Sequence, residues 1–177
     1  MLAMIVFING SFGVGKSSVA GLLVQKISNS LLYDAEEVGY MLRKIGKPVG
    51  FPEDFQDLPA WRILTVKTAQ LLKQQYNKNL IMPLCVWNEL YFDEIVSGLK
   101  AIDKYFYHFC LVADRQTILK RHSNRNDSLE VTKWVHDRVD KCLASHGSPK
   151  FGVRVQTENK SAEEVTEEIV SMLGSIK

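Results

Sequence analysis

INGSFGVGKSSVA, residues 8–20, decides how the rest of this chain is read. Within it GSFGVGKS, residues 10–17, satisfies the spacing GxxxxGK(S/T) at Gly10, Gly15, Lys16 and Ser17. The apolar run IVFIN leads in, and a stripe of Val19, Ala20, Leu22, Leu23 and Ile27 at helical spacing leads out, so the loop between must turn sharply with its amides inward. Glycines at 10, 13 and 15 permit the backbone angles of such a turn and clear side chains from the path of an anion. The emerging helix adds the positive end of its dipole and unpaired N–H groups. The expectation is a phosphate cradle formed by Gly10, Ser11, Phe12, Gly13, Val14, Gly15, Lys16, Ser17 and Ser18. Lys16 would meet the β- and γ-phosphates, and the Ser17 hydroxyl would ligate Mg²⁺. A glycine-rich turn with a surface lysine is the bland alternative, and the motif together with its flanks outweighs it.

Outward from this stretch the chain alternates short apolar runs with helical spacing. Residues 4–9, 30–33, 80–87, 105–112 and 153–157 read as strands. Between them lie helical patterns such as Val38, Met41, Leu42 and Ile45, then Ile63, Leu64, Ala69, Leu71 and Leu72. Nearly continuous apolar strands such as IVFI and HFCLVA imply burial on both faces, hence a parallel sheet between helical layers. SAEE, residues 161–164, forms a capping box ahead of Val165, Ile169, Met172 and Leu173, which marks a last helix. Pro59 suits the first turn of a helix, and GKPVGFPED, residues 46–54, is the richest loop segment. Pro83 inside IMPLCV removes a ladder donor and is expected at a sheet edge or a bulge.

The 177 residues, 46% of them hydrophobic, suffice for one domain spanning 1–177 around a single core. Lys plus Arg number 22 against 20 acidic residues, and the net charge of +2 gives no reason to expect a nucleic acid or a membrane as partner. Cys85, Cys110 and Cys142 lie far apart in sequence and make no CxxC pattern, which fits a reducing, cytoplasmic compartment. MLAMIVFIN is too short for a membrane span and lacks a signal peptide's basic start. A nucleotide and a small-molecule substrate are the expected partners, and a monomer or homodimer the expected assembly.

Further residues must name the phosphoryl acceptor. Asp34 and Glu36 follow the second strand, and in a parallel sheet that strand end shares a rim with the phosphate loop. A carboxylate there can orient an acceptor hydroxyl, take its proton or hold a water on Mg²⁺. Asp34 would equally serve as the cap of the helix AEEVGYMLRKI. After the fourth strand, DRQTILKRHSNRNDS carries Arg121 and Arg125 at a spacing of four, on one helix face, as in a lid of about 122–130 closing over a nucleotide. A solvated basic helix end is the plain alternative. Arg43 and Arg62 flank the long loop near Phe55 and Trp61, a combination suited to a substrate pocket. Trp61, Trp87 and Trp134 fit a core as well, and His108, His122, His136 and His146 show no metal spacing.

The order INGSFGVGKS, LLYDAEEVGYMLRK, DFQDLPAWR, HFCLVADRQTILKRHSNR, WVHDRVDKC and VQTEN resembles the tunicamycin resistance protein family of P-loop kinase-like ATP-binding proteins, over nearly the whole chain. Chloramphenicol phosphotransferase, gluconate kinase and shikimate kinase are related. The resemblance implies a three-layer α/β/α fold with a five-stranded parallel sheet of order 2-3-1-4-5 and a helical lid. It implies ATP and Mg²⁺ as cofactors, with Asp34 as base or Mg²⁺ organiser and Arg121 and Arg125 as lid arginines over adenine and phosphate. By the same resemblance Arg138 contacts phosphate, and Thr157 to Asn159 form the adenine-contacting loop. One departure stands out: LIMPLCVW lacks the aspartate usual at the end of that strand. The expected activity is transfer of the γ-phosphate of ATP to a hydroxyl of a small molecule, such as a nucleoside-like antibiotic or a metabolite. The alternative is an ATP-binding resistance protein that sequesters its ligand unmodified.

Overall fold

Ile5, Val6, Phe7 and Ile8 are all fully buried, which requires cover on both faces of their strand. The structure, a computed structural model, describes residues 4–124 and 129–174, with side chains in the second stretch from Thr132 onward. Strands β1 (Ile5–Gly10), β2 (Ser30–Leu32), β3 (Asn79–Pro83), β4 (Phe106–Val112) and β5 (Val153–Gln156) form one parallel sheet of order β2-β3-β1-β4-β5. Seven α-helices alternate with them among the described residues: α1 (Lys16–Lys26), α2 (Glu36–Gly46), α3 (Pro59–Tyr76), α4 (Glu89–Ile102), α5 (Arg115–Ser123), α6 (Leu129–His146) and α7 (Ala162–Gly174).

Side-chain alternation along β1 separates the two helical layers. Ile5 and Phe7 pack with Trp61 and Ala69 of α3 and with Phe92, Ile95 and Leu99 of α4. Val6 and Ile8 pack with Val19 and Leu23 of α1, Val139 of α6 and Ile169 of α7. The result is the expected three-layer α/β/α arrangement, with the C-terminal ends of the strands on one rim. Among the described residues, no helix is long and apolar enough to cross a membrane.

Pro83 does not mark an edge. Its strand lies between β2 and β1, and it closes β3 opposite Ile8. Leu80 and Leu84 donate to Met4 and Ile8 on the β1 side, while Asn79 donates to Asn29 on the β2 side. By this alternation the N–H that proline lacks would face β2, which ends at Leu32 opposite Ile81. The missing donor therefore costs no ladder bond. It also ends the strand at 83, short of the expected 87. The capping box at 161–164 forms as expected: the Glu164 carboxylate accepts from Ser161 N at 2.7 Å, and the Ser161 hydroxyl accepts from Glu164 N at 3.2 Å.

Candidate active site

The phosphate loop joins the end of β1 to the start of α1. Asn9, fully buried, fastens the approach: its Oδ1 accepts from Gly10 N at 2.8 Å and Val86 N at 3.0 Å, and its Nδ2 donates to Val86 O at 3.0 Å. Gly13 turns at φ +74°, where a Cβ would lie 2.8 Å from Ile118 O, so no larger residue fits. Gly15 turns at φ +105° into open space, the hollow an anion would occupy. Helix α1 begins at Lys16 without a side-chain cap, so its first amides have no capping partner from a side chain. Lys16 Nζ meanwhile donates to Ser11 O at 2.9 Å, across the loop it would share with a phosphate. Ser17 and Ser18 are exposed at the helix start.

A cavity of about 270 Å³ adjoins the loop, lined by Gly13, Gly15, Ser18, Arg121, Thr157 and Lys160 among others. Arg121 is fixed over it: Nη1 donates to the Thr157 hydroxyl at 2.8 Å and Nη2 to Thr157 O at 2.6 Å. Thr157 is buried and clamps the arginine, a use that its place in an adenine-contacting loop did not suggest. Asn159 is exposed at φ +55° and does not line the cavity, since its left-handed backbone serves the turn. Lys160, Ser161, Ala162 and Val165 line it instead, and sequence reading passed over all four as site residues. Helix α5 ends at Ser123, and Arg125, with residues 125–128 of the expected lid, lies outside the described residues.

On the acceptor side Asp34 stands one residue ahead of Ala35, the N-cap of α2, and its Oδ1 accepts from Glu36 N at 2.9 Å. Oδ2 has no hydrogen-bond partner among the described residues. Burial pushes the Glu36 carboxyl up from its ordinary value, Lys16 pulls it down, and Asp34 and Asp54 push it up again. These three carboxylates and one ammonium therefore share a single field. Tyr40 donates to Glu36 Oε2 at 3.3 Å and sets its ring edge against Phe55, 5.9 Å away. Arg43 lies over Phe51 and Phe55 and donates to Glu53 O at 3.1 Å.

Two residues expected to contact a substrate are buried. Trp61 is fully buried, its indole N–H donating to Ala35 O at 3.0 Å, so it backs Phe55 from the core. Arg62 is buried too, its Nε donating to Glu94 at 2.6 Å and its Nη1 to Gln56 O at 2.6 Å beneath the Tyr91 ring. Arg138 stacks on Trp134 at 3.8 Å and faces Glu53 and Asp54. At the end of β3 stand Leu84, Cys85 and Val86, all buried, with no carboxylate. Cys85 Sγ lies 3.5 Å from Cys142 Sγ, so two cysteines far apart in sequence are neighbours below the loop. A larger groove of about 470 Å³ along the end of α3 carries no charged side chain among its lining residues.

No family model matches the sequence, and no curated protein does. Solved structures match over almost the full chain. The Deinococcus radiodurans tunicamycin resistance protein superposes with a TM-score of 0.78 at 28% identity, over 97% of this chain and 96% of that one. A gluconokinase from Sinorhizobium meliloti gives 0.69 at 13% identity over 99% and 94% of the two chains. The fold is that of the P-loop kinases. Shikimate kinase from Acinetobacter baumannii, solved with shikimate, shares this P-loop kinase fold at a TM-score of 0.65 and 14% identity, over 99% and 95%. The resemblance to tunicamycin resistance proteins drawn from the sequence is thus matched by one of these neighbours.

Proposed function

We propose that the protein transfers the γ-phosphate of ATP to a hydroxyl of a small molecule. The observation that carries this reading is the cradle of residues 10–18: Arg121 lines the cavity that adjoins it, and its Lys16 shares a field with Asp34 and Glu36. The amides of the loop and of the first turn of α1 would bind the phosphates, and Lys16 would leave Ser11 O for them. Arg121, held by Thr157, would lie over the nucleotide. Asp34 and Glu36 would orient the acceptor hydroxyl and receive its proton as the new P–O bond forms and the bond to the leaving ADP breaks. Phe55, Tyr40 and Arg43 would form the acceptor's wall.

The Ser17 hydroxyl and the Asp34 carboxylate suit Mg²⁺ as hard oxygen donors, and when bound that ion neutralises charge along the phosphates. Among the described residues no three His, Cys, Asp or Glu cluster as a dedicated metal cage.

The end of β3, with Leu84, Cys85 and Val86 and no carboxylate, favours a second reading in which ATP orders a pocket that holds a toxic ligand unmodified. A screen of sugars, nucleosides and antibiotics for ADP release above background hydrolysis tests the pair. One acceptor that raises ADP release, with Asp34→Asn abolishing turnover while ATP affinity persists, supports transfer. Silence across the screen, with ATP bound and protection of cells retained in Asp34→Asn, supports sequestration.

A further inference from the structure

The loop of residues 53–57 reaches across the rim, and its acidic pair meets the one arginine of α6 that faces the site. Asp54 is 7% exposed, and its carboxylate is anchored by Gln56 N, which donates to Oδ1 at 3.0 Å. Gln56 is itself bolted down: its Nε2 donates to Cys85 O at 2.8 Å and its carbonyl accepts from Arg62 at 2.6 Å. Arg138 presents Nε to Asp54 Oδ2 and Nη2 to Glu53 Oε1, each at 3.5 Å.

Its guanidinium also stacks on Trp134, whose ring edge meets Phe12 of the phosphate loop at 5.3 Å. The arginine therefore stands between the acceptor loop and the phosphate loop. An unrestrained arginine spends rotamer entropy each time it engages a phosphate, and a stacked, paired one does not. The two contacts of 3.5 Å are longer than the 2.7–2.9 Å of a saturated charge-assisted bond. They aim the fork without locking it.

We propose that Glu53 and Asp54 are positioning residues that hold the Arg138 guanidinium ready for the terminal phosphate, so that the protein distinguishes a triphosphate from a diphosphate through its acceptor loop. This rests on the nucleotide reading above. It needs no acceptor to be tested.

Calorimetry with Mg²⁺ would measure the affinities of ADP and of the non-hydrolysable analogue AMPPNP in wild type, Arg138→Ala, Asp54→Asn, Asp54→Glu and Glu53→Gln. Arg138→Ala is expected to lower the preference for AMPPNP over ADP about tenfold, the loss of one charge-assisted contact. Asp54→Asn should lower it several-fold with ADP affinity within about twofold of wild type, and Asp54→Glu should recover part of it. The double variant Asp54→Asn/Arg138→Ala should do no more than Arg138→Ala alone. Glu53 is largely exposed, so Glu53→Gln keeps the experiment decisive where Asp54→Asn fails to fold. A wild-type preference kept in Asp54→Asn and Glu53→Gln overturns the inference, as does an equal fall in ADP and AMPPNP affinity, the mark of a structural role. Wild-type protein that binds neither ligand overturns the nucleotide reading itself, and the inference with it.

Discussion

Arg121 sits near the end of a short helix, where a free side chain would sample many rotamers, and Thr157 removes that freedom with two acceptors. Thr157→Val deletes the hydroxyl acceptor while leaving the carbonyl. Adenine nucleotide affinity should fall about three- to tenfold in calorimetry, the worth of one ordinary hydrogen bond. His146 makes a second case at this scale. Burial lowers it to about 4, against the help of Val86 O, which accepts from its Nε2 at 3.0 Å. A histidine depressed below its unfolded value of 6.5 favours unfolding when protonated. Its stabilising contribution is intact above pH 6.5 and is lost as pH falls toward about 4, on the order of 3 kcal/mol at full extent. Urea unfolding between pH 7.5 and 4.5 should show a flatter slope for His146→Gln than for wild type. The phosphate loop was legible because all its parts lie within eight consecutive residues whose chemistry is local. The Thr157 clamp, the Glu53–Asp54–Arg138 cluster and the Cys85–Cys142 contact were not, since each joins residues far apart in sequence that only the sheet order brings together.

At the scale of elements, the reading succeeded where periodicity and caps act within one segment. The capping box before α7, Pro59 opening α3 and the five strands are of this kind. Pro83 misled because a lost donor matters only where a neighbour strand extends past it, and the length of β2 is not written beside Pro83. Trp61 and Arg62, offered by the sequence for a substrate pocket and Trp61 equally for the core, are both buried on helix α3, whose rotation is not written beside any one of its residues. Helix α4 offers an independent check of element energetics. Asn88 accepts from Leu90 N at 3.0 Å and from Tyr91 N at 3.3 Å, capping a helix that buries Phe92, Ile95 and Leu99. Asn88→Ala should cost about 1 kcal/mol and lower the melting temperature by about 2–4 °C in calorimetric scans. Nucleotide affinity should stay within error, because the cap lies outside the cavity lining.

Across the whole molecule, the two helical layers meet at the sheet, and all three thiols lie inside: Cys85 and Cys142 beneath the phosphate loop, Cys110 on β4. Burial pushes Cys110 up to about 12, so its thiolate fraction near neutral pH is negligible as well as inaccessible. A thiol reagent can then reach these sulfurs only through opening of the structure, and the labelling rate becomes a measure of that opening. A ligand that binds only the folded form adds stability in proportion to its occupancy, about 2.7 kcal/mol at one hundred times its dissociation constant. Saturating ATP should therefore slow labelling of all three cysteines together, by up to about a hundredfold where opening is global. Slowing confined to Cys85 and Cys142, with Cys110 unchanged, would instead report that the phosphate loop and α6 open as a unit of their own, and mass spectrometry of the labelled peptides separates the two results. Labelling of every thiol at the same rate with and without ATP would break the link between the nucleotide cradle and the core on which it is built.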